Sequence, residues 1–144
     1  MSQATENVTH ILLAEDNPAD QRLIAEALKS AGLNPRMHLA RDGEAALSAA
    51  RTAGHSDSPC PDLFILDLHM PRVDGQEVLR AFRANHHCLH TPVIVFTSSM
   101  SPADREFVES FNGVKMIAKP TDLDEFLHVG SIIKGVLFPG QATA

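Results

Sequence analysis

The sequence predicts an α/β domain with a five-stranded parallel sheet and helices on both faces. Apolar runs of strand length alternate with helical patterns from Ile11 to Leu137, which is typical of consecutive strand–helix–strand units. Two runs, 63–66 and 93–96, are continuously apolar, as expected of central strands that helices cover on both sides. With 144 residues, of which 44% are hydrophobic, the chain suits one domain and leaves no room for a second.

Five strands and five helices account for the pattern in order. The predicted strands cover residues 10–14, 35–40, 62–67, 93–97 and 114–118. The predicted helices follow Asn17, cover residues 42–53 and 75–84, follow Ser101, and follow Thr121. We interpret residues 1–9 as a flexible N-terminus, residues 10–138 as the domain and residues 139–144 as a tail.

The first and fourth helices carry clear boundary signals. Asn17 can cap the first helix, Pro18 suits its first position, and Gly32 suits a left-handed residue after its end. For the fourth helix, we expect Ser101 to be the cap, Pro102 to take the first position, and Gly113 to follow the end. The side chains predicted to face the core from these helices are Leu23, Ile24, Ala27, Leu28, Ala31, Phe107, Val108 and Phe111.

Composition narrows the possible partners. A net charge of −6, with no cluster of Lys and Arg, favours a protein partner over nucleic acid. The apolar runs fall far short of the roughly 20 residues of a membrane span, and the polar start lacks the features of a signal peptide, so we expect a cytoplasmic protein.

Cys60 and Cys88 lack a C-x-x-C spacing and are interpreted as ordinary thiols. The histidines at 86, 87 and 90 lack the spacing of a metal site and are interpreted as solvated.

Chemically active side chains follow four of the predicted strands. Because the carboxyl ends of parallel strands meet at one edge of the sheet, we expect these groups to converge there. They are Glu15 and Asp16 after strand one, Asp67 at the end of strand three, Thr97 at the end of strand four, and Lys119 after strand five.

The three carboxylates predict a metal site. Carboxylates this close repel one another unless a cation lies between them, and oxygen ligands suit Mg²⁺ or Mn²⁺. We expect Asp16 and Asp67 to bind the metal directly and Glu15 to bind it through water. The backbone carbonyl of His69 is a candidate third protein ligand.

Asp67 is the predicted phosphoryl acceptor because it follows the central strand. An ionised carboxylate can attack phosphorus without a separate base, giving an aspartyl phosphate. The metal and Lys119 would offset charge on the phosphoryl oxygens, and the Thr97 hydroxyl would donate to them. Such a protein is not an enzyme for a separate substrate; it catalyses at most its own phosphoryl transfer and dephosphorylation.

These residues together resemble the receiver domains of bacterial response regulators. The resemblance is carried by Glu15-Asp16, by Asp67-Leu-His-Met-Pro-Arg-Val-Asp-Gly75, by Thr97 and by Lys119-Pro120, and it extends from Ile11 to about Leu137. It implies the flavodoxin-like receiver fold with strand order 2-1-3-4-5 and the same roles for the site residues. It also implies a two-component phosphorelay in which a partner histidine kinase donates the phosphoryl group.

A narrower resemblance concerns solitary regulators that pair with phytochrome-type kinases. It rests on the segment Glu-Asp-Asn-Pro-Ala-Asp20, a long loop before the third strand and the absence of an output domain, and it implies a bacteriophytochrome as kinase. One position departs from the family, because Met116 stands where receivers carry the Tyr or Phe that moves inward on phosphorylation. His69 stands where side chains influence the loss of the phosphoryl group to water.

The last helix predicts a protein contact. Its residues Leu123, Phe126, Leu127, Ile133 and Leu137 can face the core, while Val129, Ile132 and Val136 form a second apolar stripe. We expect this stripe to seal a homodimer through the surface of the fourth helix, fifth strand and fifth helix. The alternative is that the tail around Phe138 folds over it.

Three other functions compete with phosphoryl acceptance. A flavodoxin-type domain needs a glycine- and hydroxyl-rich loop where Glu15 and Asp16 would repel the flavin phosphate, and the chain has no Trp or Tyr to stack on a flavin ring. A haloacid-dehalogenase-type phosphatase typically has a second Asp where His69 stands. A receiver-like module that binds its partner regardless of phosphorylation stays open because of Met116.

Overall fold

A parallel five-stranded sheet in the order β2-β1-β3-β4-β5 forms the centre of the computed structural model, which describes residues 8–55 and 57–141. The strands are β1 His10–Ala14, β2 Arg36–Ala40, β3 Leu63–Leu66, β4 Val93–Thr97 and β5 Val114–Ala118. The helices are α1 Pro18–Ser30, α2 Gly43–Thr52, α3 Gly75–Ala84, α4 Pro102–Glu109 and α5 Leu123–Leu137. The predicted fold class and strand order are confirmed. Most of the predicted N-terminal segment and the end of the tail lie outside the described residues.

Two apolar clusters fill the space on either side of the sheet. Successive side chains of a strand point to opposite faces, so Ile11 and Leu13 of β1 join one cluster while Leu12 and Ala14 join the other. The first cluster contains buried residues of α1 and α5, and the second contains buried residues of α2, α3 and α4. Strands β3 and β4 are buried along their whole length, as their continuous apolar runs predicted. Their carboxyl ends are therefore positioned by packing on both faces of the sheet.

The predicted caps of α1 and α4 are present, but α4 is shorter than predicted. The Asn17 side chain accepts a hydrogen bond from the Ala19 amide at 2.8 Å, and the Ser101 hydroxyl accepts one from the Asp104 amide at 3.0 Å. Helix α4 ends at Glu109, whereas Gly113, with φ of 73°, shapes the turn into β5. Phe111 lies beyond the helix and still packs against the core.

The apolar faces of α5 differ from the prediction. Val129 is buried and Val136 packs against the same cluster, so they do not form an exposed stripe. Leu123, predicted to face the core, is 57% exposed. The reason is the close approach of α5 to α1 at Gly130, where a Cβ atom would overlap the carbonyl oxygen of Ala27. This contact turns residues 126, 129, 130 and 133 inward together.

The interpretation of Cys60 and Cys88 as ordinary thiols is wrong in this structure, because the two residues form a disulfide with Cα atoms 5.6 Å apart. Cys60 precedes β3, and Cys88 lies in a short 3-10 turn before β4. Adjacent parallel strands begin at the same edge of the sheet, so the segments that enter them are neighbours although 28 residues separate the two cysteines.

Of the helices in the described part of the chain, none is both long and apolar enough to cross a membrane.

Candidate acidic site at the carboxyl edge of the sheet

Asp67 directly follows the central strand β3 and is 5% exposed. Its backbone amide donates to the Ala14 carbonyl at 3.0 Å, which continues the pairing with β1. Its Oδ1 accepts a hydrogen bond from the His69 amide at 3.0 Å. Both backbone and side chain of Asp67 are thus fixed at the middle of the sheet edge.

Glu15 and Asp16 lie beside Asp67 at the end of β1. The Glu15 amide donates to the Ala40 carbonyl at 3.0 Å, and the Gln21 side chain donates to the Glu15 carbonyl at 2.8 Å. Carboxylate oxygens of Glu15, Asp16 and Asp67 all lie within 4.8 Å of one another. Glu15 is 1% exposed, whereas Asp16 is exposed. The three acids that the sequence predicted to converge therefore do so.

Lys119 brings an ammonium group among the acids from the end of β5. Its amide donates to the Thr97 carbonyl at 2.9 Å, which extends the β4–β5 pairing by one residue. Its Nζ lies 2.8 Å from Glu15 Oε1, 2.9 Å from Asp20 Oδ2 and 3.3 Å from Asp67 Oδ2. The side chain is only 10% exposed. One cation thus contacts three carboxylates, of which Asp67 is the most distant.

Burial and neighbouring charges shift the pKa values of Glu15 and Lys119. Burial raises the pKa of Glu15 to about 7, although its hydrogen bond and ion pair with Lys119 act in the opposite direction. Burial by itself would lower the pKa of Lys119, but the hydrogen bonds to Glu15 and Asp20 and the charge of Asp67 outweigh it, so that pKa lies above its ordinary value. Lys119 is therefore charged throughout the neutral range.

Thr97 ends β4, the strand next to the one that Asp67 follows, and is fully buried. The β3–β4 register pairs Leu66 with Val95, so Asp67 is level with Phe96 and Thr97 lies one residue further along. The Thr97 hydroxyl donates to the Ser99 carbonyl at 3.2 Å. This bond connects the edge of the sheet to the loop that leads into α4.

The His69 side chain links the loop after β3 to α4, a contact that the sequence did not predict. Its Nε2 lies 3.1 Å from the Ser99 carbonyl oxygen and 3.5 Å from Asp104 Oδ2. Asp104 also accepts a hydrogen bond from the Gln76 side chain of α3 at 3.1 Å. The loops after β3 and β4 are thereby connected above the site. Metal binding by the His69 carbonyl stays a prediction.

Asp20 is the site residue that sequence reasoning missed. It lies in the first turn of α1. The signal that could have found it is an acid in the first turn of a helix that begins just after the acidic end of a strand. Its partner Lys119 is 99 residues away, so the pairing itself left no local signal.

The donor set fits a hard divalent cation. All three converging side chains offer carboxylate oxygens, the ligands that Mg²⁺ and Mn²⁺ prefer. Two of the three are buried, and buried carboxylates need compensating positive charge. Lys119 supplies one unit of it among four acids, which leaves the site net negative.

The fold and the site define a doubly wound α/β domain whose acids, hydroxyl and lysine meet at the carboxyl edge of the sheet. Residues 11–129 match the response regulator receiver domain family, and the chain belongs to that family. Receiver domains are signalling modules of two-component systems.

Three relatives illustrate the similarity. Response regulator Rcp1 of Synechocystis sp. is 40% identical over 95 residues, which are 65% of this chain and 65% of Rcp1. The structure of its Mn²⁺-bound form has a TM-score of 0.77 at 32% identity and covers 88% of this chain and 92% of that one. The structure of the phosphorylated cyanobacterial phytochrome response regulator RcpA has a TM-score of 0.80 at 30% identity, with coverages of 91% and 94%. The receiver domain of sensor histidine kinase PA1611 from Pseudomonas aeruginosa, with Mg²⁺ in its active-site cleft, has a TM-score of 0.64 at 29% identity, with coverages of 87% and 96%.

Proposed function

We propose that this chain is a single-domain response regulator whose Asp67 accepts a phosphoryl group from a partner histidine kinase in a Mg²⁺-dependent reaction. The observation that carries the proposal is the meeting of three carboxylates within 4.8 Å with the Lys119 ammonium 3.3 Å from the acceptor. The functional domain in this proposal covers residues 10–138. Because ATP-dependent kinases of this kind act in the cytoplasm, we infer that location.

The residues act by position and charge. A carboxylate oxygen of Asp67 attacks the phosphorus of a phosphohistidine; an O–P bond forms, the N–P bond breaks, and the kinase imidazole leaves with the electron pair. Lys119, whose Nζ lies 3.3 Å from Asp67 Oδ2, binds a phosphoryl oxygen and offsets its charge. A divalent cation held by Glu15, Asp16, Asp67 and the His69 carbonyl would supply further positive charge to the same oxygens.

Thr97 connects the phosphoryl group to the surface. Its hydroxyl would leave the Ser99 carbonyl, which it contacts at 3.2 Å, and donate to a phosphoryl oxygen instead. The loop that precedes α4 then loses one of its anchors, and the His69 contact with Ser99 and Asp104 is free to rearrange. The result is a population shift in the surface of α4, β5 and α5 that switches protein contacts.

Met116 affects how phosphorylation would change the protein surface, because receivers carry Tyr or Phe at this position. It is half-buried and packs against the α2–α3–α4 side of the core, opposite Val95 in the register. A flexible thioether can repack into space that an aromatic ring would occupy. We therefore assign the surface change to Thr97 and the loop after β4, with Met116 adapting to it.

The test of phosphoryl acceptance uses acetyl phosphate with Mg²⁺ and intact-mass measurement. The wild type should gain one phosphoryl group, and Asp67→Asn should gain none. Asp74→Asn in the same loop is the matched control, because Asn also caps a helix well, and it should gain the group normally. If the wild type stays unmodified yet still captures its partner, the phosphorylation-independent binding module is the correct function.

The proposed kinase partner is of the phytochrome class. Support comes from the segment that ends at Asp20 and from the likeness to the phytochrome response regulator RcpA. Autophosphorylated bacteriophytochrome kinase should transfer its phosphoryl group to this chain at least tenfold faster than an unrelated histidine kinase does. Equal rates from both kinases would argue against this pairing.

We further propose a homodimer through the surface of α4, β5 and α5. Leu123 is 57% exposed on this surface, Ile132 is half-buried, and β5 is an edge strand. Light scattering after size exclusion, with and without phosphorylation, should detect a dimer that Leu123→Glu weakens. Leu89→Glu, which changes an exposed leucine before β4, should not weaken it. A monomer at every concentration would refute the dimer.

A further inference from the structure

The Lys119 ammonium is fully occupied by carboxylates. It has three N–H donors, and three carboxylate oxygens lie around it, from Glu15 at 2.8 Å, Asp20 at 2.9 Å and Asp67 at 3.3 Å. A phosphoryl oxygen can therefore bind Lys119 only if one of these contacts is given up.

Asp20 is held in place by the start of α1. The Asn17 cap accepts hydrogen bonds from the amides of Ala19 at 2.8 Å and Asp20 at 3.3 Å. Gln21, the next residue, bonds to the Glu15 carbonyl, which ties this turn to the acidic strand end. An acid in the first turn is favoured by the helix dipole wherever it points, but here its Oδ2 also lies 2.9 Å from Lys119 Nζ.

The three carboxylates differ in what it costs them to lose the ammonium. Glu15 is 1% exposed, and without a partner it would be a dehydrated charge. Asp67 becomes the acyl phosphate, and its unphosphorylated oxygen can keep the contact with the ammonium. Asp20 is 21% exposed, so water can reach its carboxylate more readily than that of Glu15 or Asp67 when the contact is lost. Asp20 is therefore the partner that Lys119 can leave.

We propose that Asp20 is a positioning residue that competes with the phosphoryl group for Lys119 and is released when that group is bound. The proposal rests on the proposed function of Asp67. Asp20 draws the ammonium toward α1 in the unphosphorylated protein and so limits how tightly the site retains a phosphoryl group. Its release adds a free carboxylate to the first turn of α1, which changes the charge of that surface with the state of the site.

The experiment measures the affinity for beryllofluoride, a phosphoryl mimic, by ¹⁹F NMR titration in the presence of Mg²⁺. Asp20→Asn should bind beryllofluoride about fivefold more tightly, the change expected when a partly exposed ion pair no longer competes. Asp20→Glu restores the carboxylate and should return the affinity to about the wild-type value. Circular dichroism verifies that each variant is folded.

Glu125→Gln is the matched control for general charge. Glu125 is exposed and lines the same surface cavity as Lys119, but it is not among the carboxylates that pair with the ammonium in the described residues. The Glu125→Gln variant should bind beryllofluoride with the affinity of the wild type. If Glu125→Gln and Asp20→Asn tighten beryllofluoride binding equally, or if Asp20→Asn does not tighten it, the proposed role of Asp20 is wrong. The proposed function of Asp67 is unaffected by either result. A wild type that neither binds beryllofluoride nor forms the acetyl phosphate adduct would overturn the proposed function as well.

Discussion

Four carboxylates lie near one another at the edge of this sheet, three of them contact the Lys119 ammonium, and two are almost completely buried. Glu15 and Asp67 are 1% and 5% exposed, and Lys119 is the cation that contacts both. Taking charged groups out of water costs several kcal/mol each unless opposite charge compensates it. The folded site therefore holds uncompensated negative charge that a bound cation would relieve.

We expect Mg²⁺ or Mn²⁺ to stabilise the folded protein against heat. A ligand at a hundredfold excess over its Kd adds about 2.7 kcal/mol, which differential scanning calorimetry detects as a higher Tm. Asp16→Asn should weaken the metal affinity at least tenfold, since it removes a predicted ligand. Asp42→Asn keeps the cap of α2 and should respond like the wild type; an identical response from Asp16→Asn would exclude it as a ligand.

Glu15 gives the metal-free protein a characteristic dependence on pH. Its pKa is raised to about 7 by burial, so between its ordinary value and about 7 the folded state binds the proton more tightly than the unfolded state does. The contribution of Glu15 to the free energy of unfolding is therefore largest in acid and is lost as pH rises through about 7.

Glu15→Gln should remove this dependence, because the amide has no proton to lose. Its stability relative to the wild type should improve by roughly 3 kcal/mol between about pH 4 and about pH 8. Urea unfolding in EDTA across that range provides the measurement, and the exposed Glu26→Gln should follow the wild type. Parallel curves for Glu15→Gln and the wild type would show that Glu15 is not held at a raised pKa.

Helix α3 is anchored near its end by the half-buried side chain of Arg83. The Arg83 guanidinium donates to the carbonyls of Thr91 at 2.7 Å, Asn112 at 3.1 Å, Gly113 at 3.2 Å and Cys88 at 3.4 Å. These carbonyls belong to the turns that enter β4 and β5. Burial lowers the pKa of Arg83, and the four carbonyl oxygens offset part of the cost of burying its charge.

Arg83→Ala should lower the free energy of unfolding by about 3 kcal/mol, because it removes a donor from four carbonyl oxygens at once. Arg83→Lys should recover only part of this loss, since an ammonium cannot match the spread of the guanidinium donors. Arg80→Ala, an exposed change on the same helix, should cost less than about 1 kcal/mol. Urea denaturation measures all three, and equal losses for Arg80→Ala and Arg83→Ala would contradict the anchoring role.

The whole chain is further constrained by the Cys60–Cys88 disulfide, which joins the entries to β3 and β4 across 28 residues. Closing a loop of this length is expected to add about 3 to 4 kcal/mol by restricting the unfolded chain. The oxidised wild type should therefore melt at a higher temperature than the reduced protein. Cys60→Ser should melt at one temperature under both conditions, and a wild type that does the same would show that the bond does not contribute.

The fold class and the composition of the site could be predicted from the sequence, because both depend on local information. Strand and helix periods, caps such as Asn17 and Ser101, and the side chains that end each strand are all readable within a few residues. Parallel pairing then brings the ends of β1, β3, β4 and β5 to one edge without any knowledge of packing. Glu15, Asp16, Asp67 and Lys119 were placed together by this rule alone.

Contacts between residues far apart in the chain were decided only by the tertiary structure. The pairing of Asp20 with Lys119 and the disulfide of Cys60 with Cys88 depend on which loops and helix ends become neighbours. The inward face of α5 depends on how closely it approaches α1 at Gly130, since a small rotation of a helix exchanges buried residues such as Val129 for exposed ones such as Leu123. Local patterns contain no record of these distances, so the sequence determined the chemistry at the strand ends, while packing determined what each group contacts.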